Sequence, residues 1–392
     1  METQLITTLT SITPYRAWGF DIPNYFWFTS TSAAAFIIFS LAIVFGIKKY
    51  RPIAGFSLLV AFAFLAAAPL NLVDDLKQPG RLINFFLYGW ENFPTSPMKW
   101  GVLILMSYFG LIILTILIFY RSYFVKRMEK SGTIGKTFYK IMALGRTSQD
   151  IESQNIDNKI LYFITAAGIP LVIALEGYTG YIIGVVHAIP LWHTPLMPIL
   201  FLASAMVEGI GALILLLLVF QKFFSEKMQV DRKMIESLAK LLAWFILAEL
   251  VVHVIWLSFA MPFNGSEKNI LFKYFDLHLS KVIGEYIICY IAPAIIGLTL
   301  LRKSLFLVSL GAIASAAGGW MLRETLVIGG QELPKTVPGF MEYTSPIFGP
   351  DSIMSVASNW AFLVAMIAIF AVIFPWDEEM RDSYEGVKDE QK

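Results

Sequence analysis

Hydrophobic positions in this chain come in long unbroken runs rather than in alternation. Nine runs approach or exceed the roughly 20 residues that carry a helix across a membrane's hydrocarbon core. They cover approximately 24–47, 53–72, 98–120, 159–186, 195–222, 235–261, 281–301, 304–328 and 354–374. In hydrocarbon every backbone N–H and C=O must be satisfied within the protein, which leaves helices and closed barrels. The runs lack the alternation of barrel strands. The pattern therefore predicts an all-α fold, a polytopic membrane bundle of about nine transmembrane helices.

The polar segments between the runs give an orientation. The first 23 residues have no basic n-region and no short apolar stretch with a cleavage site, so the first helix is expected to be retained. With the N-terminus outside, 21 of the 30 lysines and arginines fall on the inner side, eight of them between Arg121 and Lys159. Basic loops stay cytoplasmic, whereas acidic residues such as those after Trp376 weigh little. N-out, C-in is the expected topology. The inner segment 121–158 reads as a solvated connector. Eight of the ten tryptophans (Trp18, Trp27, Trp90, Trp100, Trp192, Trp256, Trp320 and Trp360) lie towards the outer helix ends. An aromatic belt should occupy both interfaces, so this asymmetry suggests an outer platform on which something docks.

Composition narrows the chemistry. The 392 residues are 57% apolar and 15% charged, against about 25% charged in globular domains, and the mean hydropathy is +0.66. A net charge of +1 leaves no basic excess for nucleic acid. The single cysteine, Cys289, excludes an intrachain disulfide and a CxxC site for zinc or an iron–sulfur cluster. Four histidines leave little room for bis-histidine haems. No metal or haem is expected in this chain.

Polar residues inside or beside the runs are the candidates. Asp74 and Asp75 end the second run beside Lys77 and Arg81; neighbouring carboxylates drawn out of water can share and pass a proton. Glu208 and Glu249 lie near the midplane, with His253 one turn outward from Glu249 on the same face. Intramembrane acids are costly and so are functional candidates, and a carboxyl relaying to a histidine makes a proton wire. Glu285 and Arg323 lie towards the outer ends, where they are expected to pair with the second-helix carboxylates. Two outer helix starts, Ser96-Pro97 and Thr194-Pro195, combine a hydroxyl cap with proline at the first helical position.

Three blocks carry a family likeness. Asp75-Leu76-x-x-Pro79-x-Arg81 precedes Pro94-Thr95-Ser96-Pro97-x-x-Trp100-Gly101. Tyr178-Thr179-Gly180 precedes Pro190-Leu191-Trp192 and Pro198-x-Leu200-Phe201-x-x-Ser204. Arg323 precedes Gly330-Gln331. In this order the blocks resemble the NrfD/PsrC family, the membrane subunits of polysulfide reductase and related molybdenum enzymes. The resemblance implies two four-helix bundles, 1–186 and 187–328. A third segment, 329–392, would hold an outer loop, a ninth helix and an acidic tail, the helix bracing the second bundle or meeting another copy.

The same resemblance implies a menaquinone or other quinone site at the outer face. A four-cluster ferredoxin-like iron–sulfur subunit and a molybdopterin catalytic subunit would dock there, in a bacterial inner membrane. Lipid would surround the chain, and a homodimer of the complex is left open. Tyr178 would be the hydrogen-bond donor to the quinone, flanked by Glu176 and Thr179, with Gly180 leaving space for a flat ring. Asp74 and Asp75 would exchange protons, tuned by Arg81 and Arg323. Glu176, Glu208, Glu249, His253 and Glu285 would carry protons. Where one member of that family has an asparagine and a histidine on the first helix, this sequence reads Thr29-Ser30-Thr31-Ser32-Ala33, which passes the polar role to hydroxyls such as Ser30 or to nothing.

Two rival readings remain. A proton-coupled secondary transporter would use Glu208 and Glu249, but no paired inverted repeat or matched pair of Gly/Pro-interrupted helices is visible. A b-haem cytochrome would need His253 to pair with His187 or His193.

Overall fold

The computed structural model of the protein describes residues 18–76, 78–189, 191–224, 230–263, 272, 274–332, 345–349 and 352–376. The regular elements among them are helical. Among the described residues nine helices are long and apolar enough to cross a membrane, which makes the chain a multi-pass integral membrane protein. They are α1 (Asp21–Ile43), α2 (Ala54–Asp75), α3 (Pro97–Phe119), α4 (Ile151–Gly184) and α5 (Met197–Phe223). The remainder are α6 (Arg232–Phe263), α7 (Leu279–Leu298), α8 (Leu305–Gly329) and α9 (Ile353–Ile373). Pro190 and the acidic residues after Trp376 lie outside the described residues.

α1 is the axis of the fold. It packs against α2, α4, α5, α8 and α9, and Ala34, Ala35, Phe36, Ile38 and Phe39 are completely buried. α5 is its counterpart, touching α1, α4, α6 and α8. Between helices in lipid the hydrophobic effect supplies no drive, and small residues allow the close packing that replaces it. A Cβ at Gly209 of α5 would stand 2.3 Å from the Ala34 Cβ of α1. The first helix is shorter than its apolar run because Gly46, at φ 64°, turns the backbone left-handed three residues after Ile43.

Two expectations need correction. Segment 121–158 is not a solvated connector: it folds into helices Arg121–Glu129 and Thr133–Met142, and α4 begins inside it at Ile151. Part of its polar set pairs internally around Asp157, while Thr133–Met142 has no buried residue. Asp157 accepts from Arg121 and, at 2.6 Å, from Arg146, while Arg121 also donates to the carbonyls of Arg146 and Ser148 at 2.9 and 2.7 Å. The ninth helix, in turn, does not brace the second group of helices. It packs on α2 and touches α1, because its polar residues match theirs, as described below.

The predicted hydroxyl caps are also weaker than expected. Ser96 precedes α3 but its side chain makes no capping bond. Thr194 Oγ1 accepts from Leu196 N at 3.3 Å, just ahead of the first residue of α5.

Candidate functional site

The interior of the bundle holds a polar cluster drawn from four helices. Arg323 of α8 is completely buried and donates through Nη2 to Glu208 Oε1 of α5 at 3.1 Å and to Ser30 Oγ of α1 at 2.9 Å. Ser30 in turn donates to Glu176 Oε2 of α4 at 2.7 Å. The guanidinium lies 3.9 Å from the centre of the Phe201 ring, a cation–π arrangement. Room for the Glu208 carboxylate comes from Gly319, where a Cβ would stand 2.3 Å from Glu208 Oε2. A buried arginine left without a carboxylate would be an uncompensated charge; Glu208 supplies the partner. The expected pairing of Arg323 with Asp74 and Asp75 does not occur, because the α8 side chain points inward rather than to the helix end.

The cluster is under-satisfied. Glu176 Oε1, Glu208 Oε2, Arg323 Nε and Arg323 Nη1 are buried and make no hydrogen bond among the described residues. Buried polar atoms normally have partners, so orphans in one place mark a site for water or a moving proton.

A separate polar group lies on α6 and α7. Glu249 Oε1 accepts from Tyr290 Oη at 3.3 Å and lies 3.7 Å from His253 Nε2. Tyr286 and Tyr290 flank the His253 ring, with centroids 5.5 and 5.4 Å away. Tyr290 belongs to a π-helical turn, Tyr286–Ile291, and a second one, Thr325–Gly329, follows Arg323. Such turns are rare and frequent at functional sites. His187 and His193 face each other, ring centroids 4.1 Å apart, rather than His253. Glu285 is buried on α7 and is not joined to Asp74.

At the tryptophan-rich end, Tyr178 is seated by Gly101 of α3, where a Cβ would lie 2.0 Å from its ring, and its hydroxyl donates to Pro97 O at 2.6 Å. Thr179 donates to the Glu176 carbonyl at 2.7 Å. The space beside Gly180 is taken by α5: a Cβ there would stand 2.5 Å from Met197 O. This glycine thus serves a helix crossing rather than a ring-sized gap. Tyr25 of α1, which sequence reasoning missed, is 7% exposed, and its hydroxyl enters no hydrogen bond among the described residues. It lies within electrostatic reach of both Tyr178 and Glu176.

Asp74 belongs to a second network, also missed. Asn359 of α9 donates to Asp74 Oδ2 at 2.9 Å and to Asn71 Oδ1 at 3.0 Å, and Asn24 of α1 donates to Asn71 Oδ1 at 2.7 Å. Ser355 lies 3.0 Å from Asp21 Oδ1 and 3.1 Å from Asp74 Oδ2, and Trp360 donates to Asn24 at 2.9 Å. The absence of asparagine at 29–33 is therefore offset five residues earlier, at Asn24. Asp75 is half-buried at the end of α2. Arg81 is exposed and, among the described residues, makes no ion pair with either aspartate.

The other motif residues clamp the helix ends. Trp192 stacks on Trp18 with centroids 5.4 Å apart, and its indole donates to Leu326 O in the π-helical turn of α8. Gly330 makes room for that indole. Gln331 exchanges two 3.1 Å hydrogen bonds with the Trp18 backbone, tying α8 to the start of α1. In the loop before α3, Lys99 donates to the carbonyls of Phe85 and Tyr88 at 2.9 and 2.8 Å.

A family model described as "Polysulphide reductase, NrfD" matches residues 9–335. A selenate reductase subunit of Mesobacillus selenatarsenatis is 29% identical over 251 residues, 63% of this chain and 57% of that protein. The Hdr-like menaquinol oxidoreductase integral membrane subunit of Archaeoglobus fulgidus is 24% identical over 252 residues, 64% of this chain and 52% of that protein. These matches span little more than half the length of those relatives. A tetrathionate reductase subunit of Salmonella typhimurium is 25% identical over 360 residues, 88% of each chain.

Proposed function

The chain belongs to the polysulphide reductase NrfD family, and on that premise we propose that it is the quinol-handling membrane subunit of a respiratory oxidoreductase in a bacterial inner membrane. Its partners are an iron–sulfur subunit with four ferredoxin-like clusters and a molybdopterin catalytic subunit, docked on the tryptophan-rich face. One relative is itself named a menaquinol oxidoreductase subunit, and this chain, with one cysteine, has no cysteine set for a cluster.

One observation carries the reading. Glu176 Oε2 accepts from Ser30 at 2.7 Å and Ser30 accepts from Arg323 at 2.9 Å, which joins this buried acid to the Arg323–Glu208 pair. The residues suit a quinone head: no hydrogen bond is recorded for the Tyr25 hydroxyl among the described residues, and Glu176 Oε1 is a buried polar atom without a partner among them. A bound quinone supplies two-electron, two-proton redox chemistry. Tyr25 would hold the quinone as a hydrogen-bond donor, since a phenol O–H can donate to a carbonyl oxygen. Tyr178, its proton held by Pro97 O, positions the pocket wall. Asp74 and Asp75 exchange protons at the helix end. Glu176 would hold a proton at Oε1, with Glu208, Glu249, His253 and Glu285 as the other proton carriers.

The reading is tested on gently purified protein with whatever accompanies it, by solvent extraction and quinone quantification beside a visible spectrum. Near-stoichiometric quinone without a Soret band attributable to this chain is the expected result. A preparation with neither bound quinone nor quinol-dependent turnover overturns it.

A further inference from the structure

The basic end of the bundle contains a cavity that the quinone chemistry does not use. It measures about 620 Å³ and opens between the end of α1, the end of α3 and the start of α4. Lys48, Arg51 and Lys126 line it, with Ser122, Gln149, Gln154 and Asn158 as hydrogen-bonding groups. Its one acidic lining residue, Asp157, is already shared by Arg121 and Arg146. Two arginines on one carboxylate leave that trio with a net positive charge. The same cavity is bordered by Ile43, Ile118, Phe119 and Leu161, apolar side chains on the membrane-spanning part of the helices.

A site with cations and amides at one level and apolar walls at the next matches an amphiphile whose polar part is anionic. Basic pockets between transmembrane helices at the cytoplasmic interface hold acidic lipid headgroups for this reason. A free phosphate would have no use for the apolar border, and a zwitterionic headgroup would bring its own cation against Lys48 and Lys126. We propose that this cavity is a binding site for the phosphate of an anionic phospholipid, with the acyl chains running along α1, α3 and α4. The lipid's negative charge would neutralise the junction between α4 and the helices at 121–142.

The experiment uses the full chain, delipidated in detergent and titrated with phosphatidylglycerol or cardiolipin while lipid-bound masses are read by native mass spectrometry. Each lysine near an anionic lipid contributes about five-fold to affinity, so K48Q/K126Q should bind about thirty-fold more weakly than the unaltered protein. K48R/K126R, and the off-site pair K130Q/K136Q, should bind as the unaltered protein does. Salt should weaken binding to the unaltered protein, and phosphatidylcholine should bind far less tightly; neither comparison depends on a variant that folds. Equal affinity for phosphatidylcholine, displacement of the lipid by inorganic phosphate at matched ionic strength, or equal weakening in K130Q/K136Q would each overturn the proposal.

Discussion

Arg323 and Glu208, 115 residues apart in the chain, face each other across 3.1 Å with both side chains wholly buried. Taking such charges out of water is expensive, and their attraction repays the cost only while both are present. Arg323→Met should therefore lower stability by about 3–5 kcal/mol, seen as a lower thermal midpoint in detergent and less protein in the membrane. Adding Glu208→Gln should return part of that loss. Additive losses in the double variant would show that the two residues are not coupled.

Glycine positions at the tyrosine wall are predicted to differ. Gly101→Ala presses on the Tyr178 ring, which can swing away from Pro97 O, whereas Gly180→Ala presses on the Met197 carbonyl and the Pro198 backbone. Overpacking costs about 1–3 kcal/mol, and the backbone clash should lie at the upper end. Equal thermal midpoints for the two variants would contradict the packing at Gly180.

Tyr25→Phe and Tyr178→Phe separate the roles of the two phenols. The first removes an uncommitted donor and should cut quinol-dependent turnover of the assembled complex by about ten-fold or more, with artificial-donor activity retained. The second removes the bond to Pro97, worth about 1 kcal/mol, and should lower stability along with turnover. If Tyr25→Phe leaves quinol turnover intact, Tyr25 is not a quinone donor.

Glu249→Gln keeps the shape of the carboxyl but cannot hold an exchangeable acid proton. Proton-transfer groups contribute about 10² or more to rate, so proton uptake coupled to quinone turnover should fall at least ten-fold in proteoliposomes. Unchanged coupled uptake would make Glu249 a structural partner of Tyr290 alone.

Asn359→Leu removes donors to Asn71 and Asp74. Interhelical hydrogen bonds in membranes average about 0.6 kcal/mol, so a loss of about 1 kcal/mol is expected from the pair. A thermal midpoint matching that of the unaltered protein would mean that the α9 network carries no stability.

Much of this fold was legible in sequence because lipid permits so few solutions. Runs such as 98–120 and 354–374 could only be spanning helices, and the observed Pro97–Phe119 and Ile353–Ile373 differ from them by a residue. Glu208 was legible as a costly acid in apolar surroundings and Arg323 as a charge needing a partner, whereas Glu176 and Ser30 came only through the family resemblance. Their mutual contact was not, because it depends on helix rotation, which periodicity leaves undefined in helices apolar all round. Tyr25 and Asn24 were missed for a related reason: near a helix end they read as ordinary interface residues. Segment 121–158 was misread because polarity records a lack of apolar contact, not contact with water, and Asp157 satisfies its arginines internally.

The amide and carboxylate ladder joining α9 to α1 and α2 also bears on biogenesis. Asn24, Asn71 and Asp74 are synthesised between 281 and 336 residues before their partners among Ser355, Asn359 and Trp360. During insertion the first two helices therefore wait in the bilayer without the α9 partners of Asn24, Asn71 and Asp74, joined meanwhile by the Asn24–Asn71 and Ser32–Ala61 hydrogen bonds. The arrival of α9 closes the assembly like a latch, and a chain halted after α8 would leave that side of the first two helices open to lipid and to quality control.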